Sequence, residues 1–294
     1  MKRFDEVQLA PDVAVVLQRT LRIPDDGGTY PLPPGLGPLP VYASPNGLAV
    51  PMHVREAMWL SFVCPWWKPY ALKVGVGGID ALTGERFDPA RLTADPQDYL
   101  VVPEQPWLDG INAGEGFIRQ FVAVPLGQGL TVEAHLTGAE ERGGLQLALF
   151  SPRPGLFPDS EPQGPEGGVV CCEASLDMGL GAGGRMRQEI YADPHGLETW
   201  EAEPTAVVDV RLVEAHEFAE EFGVPVPPTP IDVATYSAYG LPWFDLYDAG
   251  RPAIPGSRRL GGVASVGERA GDPPEKPVPV DPAQIVSLGY LPPA

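Results

Sequence analysis

The sequence predicts a mainly β protein, with antiparallel sheets packed as a sandwich or distorted barrel, two short helices and extended Pro-rich terminal arms. Three observations carry that prediction. The 294 residues include 35 glycines and 37 prolines interleaved with apolar runs, which suits many short strands joined by many turns. Several runs alternate apolar and polar residues at the period of two that a half-buried strand requires. The connections between them are too short for the crossover helices of a parallel sheet.

Taken in order, residues 7–20 (VQLAPDVAVVLQRT) fit a short helix or a strand, with Pro11 favouring a break after Ala10. PLPPGLGPLP at 31–40 reads as a rigid extended connector outside the core, so residues 1–47 form an N-terminal arm. A single β-rich domain spans 48–266. AVPMHV, AMWLSFV, ALKVGVGGIDALTGE and DYLVVP read as its first strands, with the Gly77-Gly78 pair and the Thr83-Gly84 turn inside the third. IRQFVAVPL at 118–126, TVEAHLTG at 131–138 and LQLALF at 145–150 give the strongest β signal. In the second of these, Val132, Ala134 and Leu136 alternate with Glu133, His135 and Thr137, and GAEERGG then closes a hairpin. Residues 151–168 lack periodicity and mark a long loop or sub-boundary. VVCCEASL and AVVDVRLV (206–213) return to strand. Ala215, Phe218, Ala219 and Phe222 recur at helical spacing before Gly223, and Asp232 caps a second helix that runs through Tyr239 to Gly240. PWFDLYD is one more strand, and residues 267–294 are a Pro-rich tail with one apolar anchor, IVSLGYL.

A formal charge of −19 and a pI near 4.5 repel phosphate backbones, and the pairs Arg185/Arg187 and Arg258/Arg259 are too small for a nucleic-acid footprint. Asp5, Glu6, Pro11 and Asp12 interrupt any secretory apolar stretch at the N-terminus, and no run of 18 apolar residues predicts a membrane span. Cys64 and the adjacent Cys171-Cys172 lack metal-knuckle spacing and fit a reducing cytoplasm.

Three Pro-Trp dipeptides place Trp66, Trp107 and Trp243 where the chain changes direction, as core corners or as a ligand platform. Glu104 and Asp109 flank the second and Asp245 follows the third, which nominates these carboxylates as acid and base of a carbohydrate- or phosphoester-directed enzyme. Gly179, Gly181 and Gly184 match GxGxxG, and Arg185 and Arg187 follow, so residues 179–187 are a flexible glycine loop or an anion or nucleotide contact. Without a parallel strand before it and a long helix after it, the run is no dinucleotide fold. His216 and Glu220 share one helix face opposite the apolar stripe; they and His195 are metal-ligand candidates beside the simpler reading of a solvated acidic face. GxSxG and HExxH are absent, and no cofactor is expected.

The blocks QDYLVVPEQPWLDGINAGEGFIRQFVAVPLG, GGLQLALFSPRPGLFPD, MGLGAGGRMRQEIYADPHGLETW and GLPWFDLYD resemble those of a family of soluble bacterial and fungal proteins with no established activity. The likeness covers roughly residues 50 to 265. It implies one continuous unit and transfers no functional residue. Missing catalytic motifs and Pro-rich arms point to a non-enzymatic cytoplasmic binding or assembly protein, self-associating through arms and sheet edges or binding a protein partner.

Overall fold

Buried residues recur along the apolar runs, and the β prediction holds: 38% of the described residues are strand and 13% helical. The computed structural model describes residues 2–44, 47–160, 178–246 and 251–288. VVCCEASL with its cysteine pair, the later part of loop 151–168 and the end of IVSLGYL lie outside them.

The N-terminal stretch is woven into the sheet instead of standing off as an arm. It contributes β1 (Arg3–Phe4), β2 (Val7–Ala10), β3 (Val13–Thr20), β4 (Thr29–Tyr30) and β5 (Val41–Ser44). Pro11 sits in the turn between β2 and β3, which pair antiparallel. The 31–40 connector is extended but belongs to the core: Leu32 and Leu39 are buried, and Leu36 and Leu39 donate backbone N–H bonds to Arg19 and Leu17. Its prolines supply few donors, so apolar burial and these bonds to β3 hold it down.

Next come β6 (Gly47–Met52), β7 (Ala57–Val63), β8 (Tyr70–Val76), β9 (Ile79–Asp80), β10 (Leu100–Val102), β11 (Trp107–Leu108), β12 (Gly110–Gly114) and β13 (Phe117–Pro125). Gly77 and Gly78 both adopt positive φ between β8 and β9, as a tight hairpin turn requires.

The run TVEAHLTG is a helix, α1 (Val132–Thr137), and not the strand its alternation predicts. Six residues satisfy either period, so the ends decide. Thr131 Oγ1 accepts the Ala134 N–H at 3.0 Å and Gly138 closes the helix in the left-handed region. Buried Glu133 then accepts N–H bonds from Glu141, Arg142 and Gly143, which fixes the following loop.

The chain continues through β14 (Leu145–Phe150), β15 (Met178–Arg187) and β16 (Ala206–Glu214). The two expected helices follow, α2 (Ala215–Phe222) and α3 (Val233–Ala238), then β17 (Trp243–Leu246). Two further helices, α4 (Arg258–Gly261) and α5 (Val266–Ala270), precede β18 (Ile285–Leu288).

Among the described residues, sixteen strands form one hydrogen-bonded network that divides at β16. The first half of β16 pairs with β14, which leads to β8, β9 and β10. Its later residues meet β6 on one edge and, at Leu212, β15, which leads through β13 and β7 to β3 and β2. Leu145, Leu147 and Val74 from one branch share a core with Leu60, Phe121 and Val15 from the other, a sandwich-like arrangement. Pairing is mostly antiparallel; β4 with β15, β6 with β16 and β17 with β18 are parallel.

The glycine run 179–184 is strand and not loop. Gly179 and Gly181 stand opposite Val124 and Val122 in the ladder, while Gly183 and Gly184 bulge where Gln120 has no single partner. Gln120 explains the bulge: its Oε1 accepts the Ile23 N–H at 2.9 Å and its Nε2 donates to Leu21 O at 2.8 Å, drawing residues 21–24 across Gly184. A Cβ on Gly184 would lie 2.4 Å from Pro24 O. Glycine is required here by a crossing chain rather than by a phosphate.

The C-terminal tail is also tied down. Ser265 and Glu268 form a capping box on α5, Asp272 pairs with Arg55, and Glu275 pairs with Arg22 while accepting the Asp25 N–H at 3.0 Å. Among the described residues no helix is long and apolar enough to cross a membrane.

Candidate functional site

Antiparallel pairing of β11 with β7 aligns Trp107 with Ser61 and sets its indole beside Trp59, ring centroids 6.1 Å apart and tilted by 58°. The isolated bridge between Leu32 and Phe244 closes the other side. Between them lies a recess of about 350 Å³ lined by Leu32, Pro33, Pro34, Trp59, Trp107 and Phe244. Gly35 completes the wall: a Cβ there would stand 3.1 Å from the Trp59 ring. Rigid prolines facing two indoles give a flat apolar slot of the size small-molecule sites occupy.

Among the described residues, one acid lines this slot. Asp109 is 2% exposed, and Gln188 grips it twice, Nε2 donating to Oδ2 at 2.8 Å and Oε1 accepting the Asp109 N–H at 3.0 Å. Burial pushes its carboxyl up to about 7, against hydrogen bonds from the Gln188 and Trp107 side chains. Near neutral pH the group therefore exists both as an acceptor carboxylate and as a donor acid.

The other nominated residues go elsewhere. Trp66 is half exposed and packs edge-on against Trp67. Trp243 is fully buried against Tyr236, its ring centroid 5.8 Å away, and only its neighbour Phe244 reaches the slot. The three Pro-Trp indoles thus do not meet. Glu104 accepts from His195 Nε2 at 3.2 Å, and this bond, opposed by burial, raises the His195 pKa. Asp245 takes a bidentate bond from Arg187 at 2.9 and 3.0 Å. Glu104, Asp109 and Asp245 each serve a different partner, so the slot holds one carboxylate where acid–base glycoside chemistry uses two facing ones. Beside Glu104, burial and then that carboxylate push the Cys64 thiol up to about 12, which suppresses the thiolate a nucleophile needs.

Arg185 lies over the Phe117 ring at 5.0 Å and lines a second recess of about 270 Å³ with Arg119. Asp25, Asp26, Glu268, Asp272 and Glu275 line it too, so carboxylates outnumber guanidiniums around any anion.

Among the described residues, the group of potential metal ligands that includes His216 holds neither Glu220 nor His195. His216 comes together with His53 and Glu214, with one potential ligand atom from each lying within 4.8 Å of the others. The imidazole rings stand edge to face, centroids 5.5 Å apart. His53 comes from the turn after β6, and Glu214 and His216 from the junction of β16 with α2; parallel pairing of Met52 with Glu214 makes them neighbours. No sequence motif spans that separation. Trp59 was equally hidden, since it reads as an ordinary strand residue in AMWLSFV. Compared with family models, curated proteins and solved structures, the chain matches none, so the functional reading rests on this geometry.

Proposed function

We propose that the protein is a non-enzymatic binding protein whose Trp59–Trp107 slot takes a flat, largely apolar ring carrying one hydrogen-bonding edge. The observation that carries this reading is the single buried acid, Asp109, set in a wall otherwise built from indoles, prolines, Leu32 and Phe244. Ring stacking supplies most of the affinity, and a polar edge that reaches Asp109 supplies orientation. Indole is a fitting probe because its N–H bonds a carboxylate and N-methylindole cannot. Saturation-transfer NMR is expected to show indole binding to the wild-type protein, weaker binding of N-methylindole, and roughly tenfold or greater loss in Trp107→Ala, about 1.4 kcal/mol. Equal indole signals from wild type and Trp107→Ala sink the proposal.

A second reading, self-association, draws on β18. This strand, expected to add to a partner's sheet, pairs instead with β17 of its own chain. Near that pair in the chain Tyr239, Leu241 and Val286 are 74%, 39% and 44% exposed, apolar surface that a second copy could cover. If this ribbon joins two copies, sedimentation velocity of the wild type shows a species heavier than one chain. The double variant Tyr239→Lys, Val286→Lys then reverts to one chain, and a wild type that sediments as a single chain at all concentrations rejects the idea.

A further inference from the structure

His53, Glu214 and His216 bring two imidazoles and one carboxylate to one place from segments about 160 residues apart. We propose that they bind a zinc-class divalent transition metal, with the remaining coordination positions filled by water or an outside ligand. Imidazole with one carboxylate is the donor mixture that such ions prefer, whereas calcium and magnesium favour all-oxygen shells.

The neighbouring hydrogen bonds prepare each donor. The His53 Nε2 lies 2.9 Å from Pro227 O, and a carbonyl only accepts, so Nε2 is the donor and Nδ1 is the nitrogen that a neutral ring offers to a metal. Metal-bound histidines are oriented in this way by a carbonyl on the second ring nitrogen. Arg19 Nη1 holds the next carbonyl, Pro228 O, at 2.8 Å, which keeps the proline segment in position. Glu214 Oε2 accepts the N–H groups of His216 and Glu217 at 2.7 and 3.1 Å, capping α2 and leaving Oε1 for a cation. Tetrahedral zinc with ordinary bond lengths sets its ligand atoms about 3.4 Å apart, so donors within 4.8 Å close on the ion by side-chain adjustment. Glu214 reaches from β16, His216 turns on an exposed helix end, and His53 is only partly buried.

Two electrostatic effects oppose one another at this place. A cation beside a helix N-terminus meets the positive end of the dipole, a small penalty at a solvent-exposed end. Glu217, Glu220 and Glu221 on the same helix and the net charge of −19 offset it. Ligation decides the outcome.

The experiment is calorimetric titration of chelator-treated full-length protein with zinc chloride, repeated with cobalt chloride to read the visible absorption of a tetrahedral site. One equivalent is expected to bind the wild type. His216→Ala and His53→Gln are each expected to weaken binding by roughly tenfold or more and to abolish the cobalt band, while His195→Gln leaves both unchanged. His216 is exposed, so its variant folds and keeps the test decisive even if His53→Gln does not. Wild-type affinity retained in His216→Ala, loss in His195→Gln alone, or no stoichiometric zinc binding by the wild type overturns the proposal.

Discussion

Gly184→Ala is expected to destabilise the protein by about 3 kcal/mol or more, at the upper end of what inserting a methyl into a packed interior costs. The new Cβ would stand 2.4 Å from Pro24 O, 2.9 Å from Ile23 Cγ2 and 3.0 Å from Ile23 O. Two of these atoms are backbone and cannot rotate away. Moving them pulls on the Ile23 and Leu21 bonds to the Gln120 side chain and on the pairing of β4 with β15. For a chain of this size the loss corresponds to a fall in melting temperature of roughly 10 °C. Gly262→Ala is the control, because φ is −81° there and the nearest atom to its Cβ is 3.5 Å away. It should leave stability unchanged or slightly raised through the unfolded chain. Melting of Gly184→Ala at the wild-type temperature would remove the crossing-chain account of the bulge and reopen a ligand role for the glycines.

That glycine strand shows what the sequence does and does not make legible. AMWLSFV and LQLALF are visible as β7 and β14 because apolar and β-branched or aromatic residues stand at strand spacing and need no outside information. The stripe Ala215, Phe218, Ala219 and Phe222 identifies α2, and its two phenylalanines do pack with Tyr42 and Val213. MGLGAGGRMR carries no such pattern, since its strand state is imposed by β13 alongside it and by Val266, Thr131 and Pro24 closing on its glycines. TVEAHLTG fails differently: alternation suggested a strand, while Thr131 and Gly138, a cap and a stop in plain view, carried the correct signal. Residues 31–40 look like solvent-side chain because prolines dominate them, yet Leu32 and Leu39 anchor the stretch in the core.

The candidate site divides along the same line. Trp107 and Asp109 are legible because an indole and an acid two residues apart stand at a strand corner. Trp59 and Pro33–Pro34 become their partners only through strand pairing that spans much of the chain. The His53–Glu214–His216 group is further from view still, because the pairing of β6 with β16 that creates it is parallel and non-local. Pairing choices of that kind depend on the whole network, not on local periodicity.

Asp109→Asn is expected to change the pH dependence of stability more than any other single substitution at the slot. The folded-state carboxyl titrates at about 7 against an unfolded value of 3.8, because burial disfavours its charge. A raised acid favours the folded state fully below the unfolded value, and this contribution is lost as pH rises through the folded one. Wild-type stability should therefore fall between about pH 4 and 7, by up to ~4 kcal/mol for this group at 1.36 kcal/mol per pH unit. Asp80, also buried with its carboxyl at about 7, adds a slope of the same sign, and the raised His195 adds more towards the upper end. Asparagine cannot ionise, and its Oδ1 still accepts from Gln188 Nε2. Urea unfolding at pH 4 should place variant and wild type close together, whereas at pH 8 the variant should be the more stable, with the slope from Asp80 remaining. Parallel stability curves from pH 4 to 8 would mean that Asp109 ionises at an ordinary value. The slot would then present a permanent carboxylate, and its preference would shift from neutral hydrogen-bonding rings to cationic ones, since an unpaired buried charge is relieved most by an opposite one.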